Sequence, residues 1–186
     1  MTVIAAVYES PRCYAIGADS EGEVNGLRIP SDKLCEFAVD WCIGGAGAGA
    51  EFDSAWAFLR SVEYREMATS ADVEAVLRRL FAHVRATVPR SAEYPGTDSH
   101  YLLVGPLGLF VLGSFGEISR PGNRWAVGSG EHVAMGAMFE RAGEPCDVVA
   151  LAVRAAIRLV TSCHGMPMTY SFFGPPGVPG SFTAGG

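Results

Sequence analysis

The order of apolar patterns along the chain constrains its fold more than any other sequence feature. Apolar, β-branched runs bounded by turn residues predict strands over residues 2–8, 13–18, 34–37, 41–43, 101–104, 109–113, 125–127 and 168–173. Apolar residues at helical spacing predict helices over residues 50–64, 71–88, 131–142 and 147–162. Strands and helices come in blocks, which is typical of an α+β domain rather than of alternating βαβ units. We therefore expect two packed sheets with helix pairs outside them.

Turn residues and composition set the expected boundaries. The 186 residues suit a single domain, expected over residues 1–173. A tail follows over residues 174–186, where Gly or Pro occupies most positions, and we expect it to be extended or disordered. Residues 21–28 are polar and contain glycine, which indicates a loop or a short irregular strand. Ser70 is the expected N-cap of the second helix.

The composition excludes several classes of protein. About half of the residues are apolar and 18% are charged, so the chain can build a core and global disorder is not expected. The net charge of -6 argues against a nucleic-acid partner. No uninterrupted apolar run is long enough to span a membrane, and the N-terminal segment lacks the pattern of a signal peptide. We expect a soluble, cytoplasmic protein with neither nucleic-acid nor membrane partners.

The cysteines indicate neither a disulfide framework nor a metal site. They number 5, an odd count, and no C-x-x-C pair occurs. Buried, reduced thiols are the expected state. The adjacent Cys163 and His164 are weak support for a catalytic pair. No metal or organic cofactor is indicated.

Lys33 is the first candidate for a chemical role, because it is the one lysine among 14 basic residues. Arginine keeps its proton at neutral pH, whereas a buried lysine can shift its pKa and influence a neighbouring group. Asp19 ends an apolar run and can pair with this ammonium. An isolated aspartate at a strand end is, however, more often a turn residue.

Thr2 is the candidate nucleophile. A threonine hydroxyl needs a base, and a free α-amine on the same residue, with a pKa near 8, can supply one. Only the first residue of a mature chain can use this arrangement, and a small second residue generally permits removal of Met1. The alternative is that Met-Thr is a common way for a chain to begin and that Thr2 is only a strand residue.

Two glycine-containing segments offer further groups. Residues 44–49 leave a strand and enter a helix, so their amides can stabilise an oxyanion or simply allow close packing. A phosphate-binding loop is not supported, because the Lys-Ser/Thr pair is absent, and no βαβ unit surrounds the segment. Ser129 lies between two glycines at a strand-to-helix junction, where it can relay a proton or cap the helix.

Taken in order, these pieces resemble the proteasome β-subunit family of N-terminal-nucleophile (Ntn) hydrolases, which includes the bacterial HslV peptidase. The matching pieces are the Met-Thr-Val-Ile start, Gly17-Ala18-Asp19-Ser20, Asp32-Lys33-Leu34, residues 44–49 and Gly128-Ser129-Gly130. The resemblance covers residues 2–173. It implies a four-layer αββα sandwich built from two antiparallel sheets flanked by helix pairs.

The resemblance also implies a mechanism, which is peptide-bond hydrolysis by an N-terminal threonine. Thr2 would be the nucleophile and its own amine the base, while Lys33, paired with Asp19, would lower the effective pKa of the threonine. The Gly47 amide would stabilise the oxyanion, and Ser129 would support proton transfer at the amine.

Substrate and partners are implied in the same way. A substrate pocket beside the oxyanion site would involve Ser31, Cys35, Gly45 and Gly49, and the absence of a side chain at Gly45 favours a roomy, mostly uncharged pocket. Protein or peptide substrates, assembly into a homo-oligomeric ring and an ATPase unfoldase as a further partner also belong to the pattern.

The chain departs from the family pattern near Ser129. Glu131 stands where most members carry a small polar residue, and residues 159–162 contain no carboxylate where proteasome subunits carry an aspartate. These departures favour a second reading, a non-catalytic structural or regulatory protein of the same fold. A third reading keeps the nucleophile but assigns a small amide as substrate.

Overall fold

The structure, a computed structural model, describes residues 2–24, 27–38, 40–89, 96–173 and 181–184. The strands are β1 (Val3–Ser10), β2 (Cys13–Asp19), β3 (Glu21–Val24), β4 (Leu27–Pro30), β5 (Leu34–Phe37), β6 (Trp41–Ala46), β7 (His100–Gly105), β8 (Gly108–Leu112), β9 (Ile118–Ser119), β10 (Arg124–Gly128), β11 (Pro167–Phe173) and β12 (Ser181–Ala184). The helices are α1 (Gly49–Leu59), α2 (Ser70–Thr87), α3 (Glu131–Phe139) and α4 (Pro145–Leu159). The predicted mixed α+β class with antiparallel sheets is confirmed.

The first sheet has the strand order β10-β1-β2-β11-β12, with every neighbouring pair antiparallel. In β1, Val3 lies opposite Gly128 of β10, and Ile4 lies opposite Ala18 of β2. The apolar residues 3–7 are fully buried. This register places the start of β1 beside the ends of β2 and β10.

The second sheet has the order β5-β6-β7-β8-β9 and is also antiparallel throughout. The predicted hairpin between residues 34–37 and 41–43 is confirmed as β5 and β6. The two sheets approach closely at Gly44, where an added Cβ would lie 2.4 Å from Ile4 Cγ2. This contact brings the end of β6 near the start of β1.

Three apolar clusters hold these elements together. One packs α1 and α2 against the second sheet and includes Phe52 and Phe110. The next lies between the two sheets and includes Ile16 and Val104. The last packs α3 and α4 against the first sheet and includes Val149. Removal of this apolar area from water is the main favourable term in folding.

Two helix ends in the first half of the chain differ from the prediction. α1 ends at Leu59 rather than at residue 64, and Tyr64–Met67 forms a separate 3₁₀ turn. The predicted N-cap Ser70 is wrong, since Thr69 is the N-cap and its hydroxyl accepts the Asp72 amide at 3.3 Å. The Asp72 carboxylate accepts the Thr69 amide in return, so this reciprocal capping starts the helix one residue earlier.

The last two helices are also shorter or shifted. α3 ends at Phe139 rather than at residue 142. α4 occupies Pro145–Leu159 rather than residues 147–162, because proline suits the first helical turn, where no intrahelical amide bond is lost. The chain turns after Val160, whose carbonyl accepts the Cys163 amide at 3.0 Å. Residues 161–163 therefore lie in a turn, outside the helix.

Several strands were not predicted as such. Residues 21–28, expected to be a loop or a short irregular strand, contribute to the β3–β4 hairpin, in which Glu21–Val24 pairs with Leu27–Pro30. β12 lies within the expected tail and pairs with β11. The other tail residues, 174–180 and 185–186, lie outside the described residues, as does Met1. None of the helices in the described part of the chain is both long and apolar enough to cross a membrane.

Candidate active site

The ends of neighbouring strands converge on Thr2. This residue directly precedes β1, and Asp19 is the last residue of the adjacent strand β2. The Thr2 hydroxyl donates a hydrogen bond to Asp19 Oδ1, which also accepts the Val3 amide at 2.9 Å. Thr2 is 4% exposed and Asp19 is fully buried. The first sheet thus holds the threonine against a carboxylate shielded from solvent.

Lys33 joins this cluster from the second sheet. Its Nζ lies 2.9 Å from Asp19 Oδ2, and it also donates to the Glu21 carbonyl oxygen. The His164 amide donates to the same Oδ2 at 3.1 Å. Burial lowers the pKa of Lys33, and the neighbouring Asp19 carboxylate opposes this shift. The structure therefore brings Thr2, Asp19 and Lys33 into one buried network.

Ser129 approaches Thr2 from the junction of β10 and α3. Its hydroxyl donates to the Thr2 carbonyl oxygen at 3.2 Å, and the Gly130 amide points to the same oxygen at 3.4 Å. Ser162, in the turn after α4, donates its hydroxyl to Ser129 Oγ at 2.9 Å. Sequence reasoning missed Ser162. The signal that could have found it was its place in residues 159–162, where the family carries a carboxylate.

Two glycines permit the close packing around the site. Gly128 has φ +98°, and an added Cβ would lie 2.4 Å from the Thr2 carbonyl oxygen. Gly47 has φ +148°, and a Cβ there would lie 2.3 Å from the carbonyl oxygen of Asp98. Buried Ser99, which sequence reasoning also missed, accepts the Ala48 amide at 3.1 Å through its hydroxyl. Residues 98–99 thus hold the loop at Gly47 in place.

A cavity of about 400 Å³ opens at Thr2. Its walls are formed by Thr2, Ala46, Gly47, His100, Gly128, Ser129 and Glu131. This volume falls within the usual range of ligand pockets, about 300–1,000 Å³. The candidate nucleophile, the candidate oxyanion loop and Ser129 therefore face one space. His100 and Glu131 add two ionisable side chains to its walls.

The four residues predicted to form the substrate pocket do not line one cavity. Ser31 and Gly49 contribute to a second cavity of about 450 Å³. Its other walls are Pro30, Asp32, Phe52, Asp53, Trp56 and Arg60. Cys35 is buried in the core against α1 and α2, and the Phe52 ring fills the space beside Gly45, 2.7 Å from an added Cβ. Asp32, Asp53 and Arg60 give the second cavity charged walls, and the roomy, mostly uncharged pocket stays a prediction.

Solved structures similar to this chain include proteasome-type Ntn hydrolases. BPH from Thiobacillus denitrificans has a TM-score of 0.80 at 19% identity, covering 94% of this chain and all (100%) of that one. BPH in complex with epoxomicin has a TM-score of 0.79. HslV from Trypanosoma brucei has a TM-score of 0.73 at 14% identity, covering 93% of this chain and 100% of that one. A Gly-1 mutant of Anbu from Hyphomicrobium sp. strain MC1 has a TM-score of 0.76 at 10% identity, covering 99% of this chain and 88% of that one.

The fold is similar to that of the proteasome-type Ntn hydrolases. Because the identities are 19% or lower, the likeness establishes the fold and leaves the activity to the site residues. The sequence matches no family model and no curated protein.

Substitution of Gly47 by alanine is expected to displace the loop, since a new Cβ would collide with the Asp98 backbone. For a site that hydrolyses peptides, the expected consequence is a loss of turnover of at least about tenfold. The measurement is kcat for a fluorogenic peptide, and circular dichroism on the same protein gives the folded fraction. Gly136→Ala, in α3, is the matched control, because nothing lies within 4 Å of an added Cβ there and the residue lines neither cavity. Equal kcat for Gly47→Ala and the wild type would exclude a requirement for this loop conformation.

Removal of the Ser129 hydroxyl is expected to lower kcat in the same peptide assay by about 10-fold to 100-fold, since it takes away one of the two donors to the Thr2 carbonyl oxygen and leaves only the Gly130 amide. Ser162→Ala should have a smaller effect of the same sign, because that hydroxyl acts through Ser129. Thr161→Ala removes an exposed neighbouring hydroxyl and serves as the control. Indistinguishable rates for Ser129→Ala and Thr161→Ala would contradict a role for this hydrogen-bond chain.

Proposed function

We propose that this chain is a threonine peptidase that hydrolyses peptide bonds with Thr2 as the N-terminal nucleophile after removal of Met1. One observation carries the proposal: the Thr2 hydroxyl, Asp19 and Lys33 form a single buried network. This network borders the cavity that Gly47 and Ser129 also line. A nucleophile, a tuning cation and candidate oxyanion donors therefore occupy one site.

Attack on the substrate would begin with proton transfer from the Thr2 hydroxyl to the α-amine of the same residue, directly or through a water molecule. The threonine oxygen would then bond to the substrate carbonyl carbon, and the carbonyl oxygen would take up the negative charge. The Gly47 amide would stabilise this oxyanion. The Lys33 ammonium, held by Asp19, favours the alkoxide because opposite charges attract across the buried site.

Collapse of the tetrahedral intermediate would break the carbon–nitrogen bond. The α-ammonium would return its proton to the leaving amine, leaving an ester between Thr2 and the acyl group. Water, deprotonated by the same amine, would then hydrolyse this ester and restore the threonine hydroxyl. Ser129, bonded to the Thr2 carbonyl oxygen, would keep the residue oriented through both steps.

The proposal extends to architecture and assembly. Three apolar clusters separate a helix pair, two sheets and a second helix pair, which supports the four-layer αββα arrangement within a single domain over residues 1–173. Similarity to HslV and BPH supports a homo-oligomeric ring acting on protein or peptide substrates. An ATPase unfoldase is the partner such a chamber would need for folded substrates. The proposed location is the cytoplasm.

The experiment that tests the proposal combines intact mass with a covalent probe. Protein with a native N-terminus is expected to lack one methionine and to gain the mass of one epoxomicin molecule at Thr2. Epoxomicin is an inhibitor of threonine proteases and is bound in the similar BPH structure. A Thr2→Ala variant provides the matched negative control.

The alternatives predict other results. Retention of Met1 and absence of a probe adduct would overturn the proposal in favour of a non-catalytic structural or regulatory protein. A probe adduct with turnover of small amides but not of peptides would assign the site to a small-amide hydrolase. The hydrogen bond from Ser162 to Ser129 argues against the non-catalytic alternative. It gives the Ser129 hydroxyl a partner in the region where proteasome subunits carry an aspartate and this chain does not.

A further inference from the structure

The cavity at Thr2 contains a carboxylate that is only weakly paired. Glu131 is the first residue of α3 and lines this cavity. Within the described part of the chain its ion partner is His132, whose Nε2 lies 3.8 Å from Glu131 Oε1 and whose side chain is 93% exposed. An exposed contact of this kind contributes little, because water screens it. The carboxylate can therefore interact with a positive charge inside the cavity.

The other ionisable groups around Thr2 do not compensate Glu131. On the surrounding elements the structure places Asp19, Lys33, His100, Cys163 and His164. Asp19 and Lys33 neutralise each other at 2.9 Å. Burial raises the pKa of the Cys163 thiol and keeps it neutral.

We propose that Glu131 is a positioning residue for the α-amine of Thr2, whose protonated form it stabilises across their shared cavity. The inference rests on the proposed function, in which this amine is the general base. Only the neutral amine can accept the hydroxyl proton, so stabilisation of the ammonium moves the onset of activity to higher pH. The same carboxylate would hold the ammonium in place once the proton has been transferred.

The size of the effect follows from Coulomb's law. For two unit charges about 6 Å apart, an effective dielectric constant of about 40 to 80 predicts a shift of about 0.5 to 1 pH unit. The positive N-terminal pole of α3 offsets part of the Glu131 charge. Neutralising Glu131 would remove its attraction for the ammonium and would leave the positive pole of α3 unopposed. Both changes lower the pH at which the amine loses its proton.

The test compares Glu131→Gln with Glu140→Gln, which removes an equal charge from the exposed C-terminal end of the same helix. All proteins are first shown by mass to begin at Thr2. The pH profile of kcat/KM is measured for a neutral peptide and for a cationic one. In parallel, the rate of N-terminal acetylation by acetic anhydride is followed against pH from the mass of the N-terminal peptide, which reports the amine without requiring turnover.

The expected result is that Glu131→Gln moves both the acidic limb of kcat/KM and the acetylation profile about 0.5 to 1 unit to lower pH, while Glu140→Gln moves neither. Glu131→Asp, which keeps the charge, should restore most of the wild-type profile.

Profiles identical for the wild type and Glu131→Gln would overturn the inference. So would an unchanged acetylation profile with a raised KM for the cationic peptide alone, which would assign Glu131 to substrate binding. Absence of wild-type turnover would reject the proposed function, and the acetylation profile would still decide whether Glu131 acts on the amine.

Discussion

Replacement of Thr2 by alanine is expected to abolish peptide hydrolysis, lowering kcat by more than about 1,000-fold, because it removes the oxygen that is proposed to attack the substrate. The fold should survive, since Asp19 keeps its ion pair with Lys33 and accepts the amides of Val3 and His164. Steady-state turnover of a fluorogenic peptide tests the loss of activity, and the thermal unfolding midpoint tests whether the fold survives.

The matched control is Thr2→Ser. Serine keeps the hydroxyl, and threonine, serine and alanine are all small enough to permit removal of Met1, so N-terminal processing is the same in the three proteins. Thr2→Ser is expected to retain turnover within about tenfold of the wild type. Wild-type turnover in Thr2→Ala would exclude Thr2 as the nucleophile and would direct attention to another hydroxyl or thiol in the cavity.

Replacement of Lys33 by methionine should cost both stability and activity. Lys33 is 2% exposed and its partner Asp19 is fully buried, so removal of the ammonium leaves a buried carboxylate without its counter-charge. Breaking a buried ion pair in this way typically costs about 3–5 kcal/mol in the free energy of unfolding. Loss of the cation should also lower kcat at least about 100-fold, because it no longer favours the threonine alkoxide. Urea unfolding and peptide turnover, measured on the same preparation, give the two quantities.

The double variant Asp19→Asn/Lys33→Met separates the two effects. Because both charges are removed together, we expect it to recover a large part of the lost stability, whereas its activity should stay as low as that of Lys33→Met. Recovery of turnover in the double variant would show that the ammonium is not required for chemistry. An unchanged free energy of unfolding in Lys33→Met would show that the pair does not stabilise the fold.

The element types were predictable because they depend on local patterns. The apolar run at residues 2–8 and the helical spacing within residues 71–88 are short-range signals, and both appear as β1 and α2. The hairpin of β3 and β4 was missed, since its two strands have only four residues each and those of β4 are exposed, so they bury no apolar face that a pattern could reveal. β12 was missed because its strand character depends on pairing with β11, which no local pattern encodes.

The candidate site was predictable in part, because two of its residues stand out in the sequence by their type and position. A single lysine and a threonine behind the initiator methionine pointed to Thr2 and Lys33, and the structure brings both to Asp19. The surroundings of Gly45 were not predictable. The absence of a side chain at Gly45 says nothing about which neighbour fills the space, and Phe52 of α1 fills it.

By itself, then, the sequence determined the order of the four helices and of the eight predicted strands, together with the candidate groups Thr2, Asp19 and Lys33, since periodicity and residue chemistry are local properties. Only the tertiary structure decided what surrounds them. Antiparallel pairing of β1 with β10 places Ser129 on the Thr2 carbonyl oxygen, although 127 positions separate the two residues. The turn after α4 adds Ser162, and the wall of the cavity adds Glu131. Such contacts join distant segments through sheet register and helix packing, which a single sequence read by local pattern does not specify.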